Sequence, residues 1–138
     1  MKKTTTVAVY MLLTAGLLIN AYFMLSNGEP DKLWWWPLAF GFYAWAAVPF
    51  AGVAIVNRYL SKNLLTSLIL FATAVTITGG GLYILVEAFI THLDPQSGII
   101  FIFLPFLQCV VVAIGTGLVL LIRTLGNEKS PTMGSSVP

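Results

Sequence analysis

Few residues in this chain have side chains that could do chemistry, and Glu87 is the first to consider. It is an acid inside an otherwise apolar stretch, preceded by Thr66, Thr73, Thr76, Gly80 and Tyr83 at steps of seven, three, four, three and four residues. Those steps place polar and small groups on one face of a helix. A stripe of this kind either faces other helices, with threonine bonding back to its own backbone and glycine admitting a neighbour, or lines a polar path for a proton, an ion or a small solute. Acidic residues within membrane helices generally face the interior of a helix bundle. Gln108 and Asn20 are the other amide-bearing positions within apolar runs, and with Tyr83, Thr76 and Thr73 they are candidates for a polar cluster around Glu87.

The elements that position these residues follow from composition. Of 138 residues 58% are hydrophobic and 9% are charged, against about 25% charged in a soluble domain. The apolar residues form four runs, about 7–25, 33–56, 64–90 and 99–122. Each is close to or above the roughly 20 residues that cross about 30 Å of hydrocarbon as a helix. Continuous runs without period-two alternation predict helices, which satisfy every backbone polar group internally. The expected fold is all-α: an integral membrane four-helix bundle over 1–126, followed by a disordered tail over 127–138 rich in Gly, Ser, Thr and Pro. Met1-Lys2-Lys3 before an apolar run also resembles a signal peptide, but the run is long and lacks a small-x-small cleavage pattern, so a retained helix is expected.

Basic residues set the expected orientation. Lys2, Lys3, Arg58, Lys62, Arg123 and Lys129 fall in the three segments that share one side of the membrane, and Lys32 alone lies opposite. The positive-inside rule then puts both termini in the cytoplasm. Bacterial inner membrane is the expected location, from the compact chain and its Lys-Lys start. Trp34, Trp35 and Trp36 fall at the outer interface as anchors, the usual place for indole rings.

Membrane helices associate through small residues. Gly41, Ala44, Ala47 and Ala51 in the second run, Gly80 in the third, and Ala113 with Gly117 in the fourth are the expected packing positions. Pro37 is suited to a helix start, whereas Pro49 and Pro105 should kink the helices that contain them. Pro105 leaves the carbonyl of Phe101 without its helical donor, and a protonated Glu87 would donate to it. The loop between the third and fourth runs contains His92 and Asp94. Asp94 before Pro95 has the form of a helix N-cap followed by proline, which would start the fourth helix at Pro95.

Several chemistries are excluded or unsupported. A single histidine rules out bis-histidine haem, and one histidine with two carboxylates in no recognised spacing gives no metal site. No G-x-S-x-G elbow or phosphate-cradling Gly-Lys motif occurs. The charge lacks the basic patch of a nucleic-acid binder, and lone Cys109 reads as a packing residue. No cofactor is expected, and no enzymatic activity.

In length and span count the chain resembles the small multidrug resistance transporters. That family is identified by a glutamate in the middle of its first span, and the first span here has no acidic residue. The resemblance is one of outline, and it implies no site or activity. Two functions are expected from the residues themselves. One is a non-enzymatic accessory or protective protein, of which immunity proteins are an example, acting by helix association with another membrane protein or itself. The other is a small oligomeric transporter or channel using the third-span stripe and Glu87.

Overall fold

A computed structural model describes residues 2–91 and 97–128. They form four long helices: α1 (Lys2–Asn27), α2 (Trp35–Leu60), α3 (Leu64–Val86) and α4 (Ile100–Glu128). A π-helical segment, Glu87–Thr91, extends α3, and a single 3-10 turn, Ser97–Ile99, precedes α4. Four helical segments are long and apolar enough to cross a membrane, namely Lys3–Asn27, Trp35–Leu60, Leu64–Thr91 and Ile100–Leu125. Each is longer than its sequence-derived run, because a helix continues past the hydrocarbon until a cap or breaker stops it. His92, Asp94 and Pro95 lie outside the described residues. Helix α4 continues to Glu128, two residues into the segment expected to be disordered; the remainder of 127–138 is outside the described residues.

The α2–α3 turn shows how the sequence ends one helix and starts the next. The Asn63 side chain accepts the Thr66 N–H at 2.9 Å, and Thr66 Oγ1 accepts the Asn63 N–H at 3.3 Å. This reciprocal box satisfies two donors that the first turn of α3 would otherwise leave open. Thr66 is therefore a capping residue. Ser67 adds a bond to the Asn63 carbonyl at 3.0 Å.

Helix α1 packs chiefly on α3, and α2 chiefly on α4; α3 also pairs with α4, and α2 with α1. Two apolar clusters lie inside. Val9, Leu13, Phe50, Val53, Ala74 and Ile77 form the first, nearer the end that carries the N-terminus and the α2–α3 turn. Phe23, Leu85 and Leu104 form the second, toward the opposite end. Rings of Phe23, Phe89 and Phe101 meet there at centroid distances of 6.0 and 5.3 Å. Large apolar side chains are exposed along all four helices, among them Met11, Leu18, Phe40, Ile55, Phe106 and Ile114. In water such a surface would associate.

Pro49 and Pro105 are both fully buried within their helices. Pro37 sits in the first turn of α2, which begins at Trp35. The indole N–H of Trp45 donates to the Ile102 carbonyl at 3.0 Å, beside the turn that Pro105 deprives of a donor. That bond ties α2 to the weakened turn of α4.

Candidate functional site

Beside the apolar clusters, side-chain polar groups of one helix meet the backbone of another. Gln108 is buried, and its Nε2 donates to the Ile77 carbonyl at 2.8 Å. Gly81 makes room for it, since a Cβ there would stand 2.6 Å from Gln108 Nε2. Thr78 Oγ1 donates to the Leu12 carbonyl at 3.3 Å, linking α3 to α1. On α1, Gly16 admits the ring of Phe50 and the hydroxyl of Thr78. Two turns along α4 from Gln108, Gly115 lies against the Thr73 hydroxyl.

The third-span stripe does not stay on one side of this interior. Thr66 and Thr73 are buried, whereas Thr76, Gly80 and Tyr83 are exposed. At about 100° per residue the buried positions of α3, such as Leu70, Ala74, Ile77 and Gly81, centre roughly 100° round the helix from the stripe. The stripe therefore straddles the edge of the packed face. Thr78 and Gly81, which fall off the stripe, are the residues that face inward.

The polar residues expected to gather around Glu87 are separately engaged. Asn20 is buried and turns its Nδ2 to the Gly16 carbonyl of its own helix at 2.9 Å. Thr73 and Thr76 donate to Ile69 O and Ala72 O, each at 2.9 Å. Gln108 reaches Ile77, and Tyr83 points outward. Glu87 is half-buried at the junction of α3 with the π-helical segment, where its N–H meets the carbonyls of Ile84 and Tyr83. Among the described residues no group of three His, Cys, Asp or Glu side chains is placed to hold a metal ion.

None of the small residues expected at helix contacts is buried within the chain. Gly41, Gly80 and Gly117 have nothing within 4 Å of where a Cβ would lie. Ala44, Ala51 and Ala113 are exposed, and Ala47 is half-buried. The glycines where a Cβ would clash with a neighbour are, among the described residues, Gly16, Gly28, Gly81 and Gly115, and Gly52 stands in ordinary contact with Val112. Small-residue spacing recurs on any helix face, and it does not say which face meets a helix of the same chain. One signal was present: Gly115 lies seven residues from Gln108 and four from Val119, on the face that the buried amide marks.

The tryptophans also divide. Trp34 is exposed, with the Lys32 ammonium 5.9 Å from its ring. Trp36 donates its indole N–H to the Pro30 carbonyl at 3.1 Å. Trp35 packs on Gly28 and edge-on to Trp36, closing the α1–α2 loop. Only part of the trio is therefore free to act as an interface anchor.

What α2 leaves open is a groove against α4. Pro37, Leu38, Gly41, Phe42, Trp45 and Ile102 line a volume of about 440 Å³, with Gly41 as a smooth point in its wall. A second groove, of about 300 Å³, runs between α3 and α4 beside Thr73, Thr76 and Gly115. No protein-family model, curated protein or solved structure matches the chain.

Proposed function

We propose that this chain is a non-enzymatic multi-pass membrane protein that works by lateral helix association, as an accessory or protective, immunity-like partner of another membrane protein or as a homo-oligomer. Both termini face the cytoplasm in this reading, and the bilayer is that of a bacterial inner membrane. The observation that carries the proposal is the outward face of α2. Gly41, Ala44 and Ala51 are exposed, and nothing approaches Gly41. Close approach of a partner helix needs small residues on such a face.

A photo-crosslinking residue at Ala44, activated in native membranes, tests this. The expected result is one discrete crosslinked product, a foreign membrane protein or a second copy, that disappears in Gly41→Leu while the fold survives. Absence of any discrete product from Ala44, with Gly41→Leu behaving as wild type, would sink the proposal.

The transport reading draws on a different face. Thr76, Gly80 and Tyr83 of α3 are exposed, and two copies meeting there would enclose their hydroxyls. In that case Glu87→Gln abolishes flux at normal expression, and the bulky substitutions on α2 leave it intact.

A further inference from the structure

Asn57 behaves unlike Asn20 and Asn27 of α1. Asn20 and Asn27 both turn the amide onto their own helix, donating to the carbonyl four residues back at 2.9 Å. The corresponding acceptor for Asn57 is the Val53 carbonyl, and the bond is not made. The residue is 2% exposed, and neither its Nδ2 nor its Oδ1 has a hydrogen-bond partner in the protein. Buried amides are rarely left in this state, and ordered water or a ligand commonly supplies the missing bonds.

Polar groups lie in the turn that follows Asn57. Ser61, four residues on, donates its N–H to the Asn57 carbonyl at 3.3 Å. Its hydroxyl lies 2.6 Å from that of Ser67, which is fully buried together with Thr66. Each of those hydroxyls has two acceptor lone pairs and one donor, so their mutual bond leaves acceptor capacity on the pair. The missing group must also match both ends of the amide. A cation would satisfy Oδ1 alone, and an anion would satisfy Nδ2 alone. Water accepts from Nδ2, donates to Oδ1 and is small enough for an interior site.

We propose that Asn57 anchors an internal water site, in which water bridges its amide to the Ser61–Ser67 hydroxyl pair where α2 turns into α3. This site is independent of lateral association, because Asn57 and Ser67 are buried inside one chain and Ser61 is partly buried beside them. It gives that end of the helix set a hydrated polar layer directly next to the apolar cluster of Val9, Val53 and Phe50.

The test is water-to-amide cross-relaxation on isotopically labelled full-length protein in lipid nanodiscs. The Asn57 side-chain NH₂ resonances are assigned by their loss in Asn57→Leu. A cross-peak from long-lived water, with the sign of dipolar transfer and not of proton exchange, is expected at that NH₂. Ser67→Ala should weaken it at least severalfold while leaving the Asn20 and Asn27 side-chain signals in place. Asn57→Leu should lower the apparent melting temperature by about 3–6 °C, the shift expected for loss of one net hydrogen bond in a chain of this size. Absence of a water cross-peak at Asn57 would overturn the proposal, as would a cross-peak that Ser67→Ala leaves unchanged. Ser67→Ala retains Asn57, so the test stands even where Asn57→Leu does not fold.

Discussion

Gly115 and Gly117 lie two residues apart on α4, and substituting each by alanine should have opposite effects. A Cβ at Gly115 would overlap Thr73 Oγ1 and stand 3.1 Å from its Cγ2 and 3.3 Å from its Cβ. Rotation about χ1 gives little relief, because threonine carries two heavy atoms on Cβ. Its hydroxyl is also held by the Ile69 carbonyl at 2.9 Å. Overpacking of a fitted contact costs about 1–3 kcal/mol, and replacing a helical glycine by alanine offsets about 1 kcal/mol of that. Gly115→Ala is therefore expected to destabilise by about 0–2 kcal/mol on these two terms. Gly117→Ala meets nothing within 4 Å and should stabilise by up to about 1 kcal/mol. Unfolding of both variants in mixed detergent micelles, followed by circular dichroism, measures the difference. Thr73→Ala in the Gly115→Ala background should recover about 1 kcal/mol beyond additivity, the signature of two residues in contact. Equal stability of the two alanine variants, or additivity with Thr73→Ala, would refute the described contact between α3 and α4.

Three further outcomes follow from the same geometry. Gln108→Leu removes the bond to the Ile77 carbonyl and should cost about 0.6–1.7 kcal/mol, the range for interhelical hydrogen bonds in membranes; stability at or above wild type in the same unfolding assay would contradict that role. Trp45→Phe keeps an aromatic ring and removes the donor to Ile102 O, so exchange of the Phe103, Leu104 and Phe106 amides, beside Pro105, should rise. Unchanged exchange there would show that the indole does not support that turn of α4. With Cys109→Ala as background, Glu29→Cys should react with a membrane-impermeant thiol reagent applied from outside intact cells and Lys62→Cys, at an exposed position of the α2–α3 turn, should not, and the reverse pattern would overturn the orientation proposed from Lys and Arg placement.

Span positions were legible in the sequence because an apolar run of this length can satisfy its backbone in lipid only as a helix. Helix faces were much harder to read. In a water-soluble helix the apolar stripe identifies the core side, but a helix surrounded by lipid is apolar both inside and out. Spacing alone therefore assigned packing to Gly80 and Gly117, whereas their near neighbours Gly81 and Gly115 make the contacts. The stripe built on Thr66 failed for a local reason, since that hydroxyl belongs to the Asn63 cap. Buried amides are more informative. Gln108 marks the face of α4 that also carries Leu104, Gly115 and Val119, and Asn20 marks the face of α1 with Leu13, Gly16 and Phe23. Asn57 carries the same kind of signal on α2, four residues from Val53 and seven from Phe50.

The small residues thus fall into two sets with different physical consequences. Gly16, Gly81 and Gly115 meet neighbours that a Cβ would displace, so their lack of a side chain permits contacts within the chain. Gly41, Gly79, Gly80 and Gly117 meet nothing, and on the soluble scale each lowers helix propensity by about 1 kcal/mol relative to alanine. A chain that met only lipid on those faces would gain no packing in exchange for that loss. Against another helix the same positions allow close backbone approach, with the dispersion contacts and hydrogen bonds that drive association where no hydrophobic effect operates. Of these open glycines only Gly41 lies on α2, so under the proposed lateral association the groove beside it is the place to look for a partner helix first.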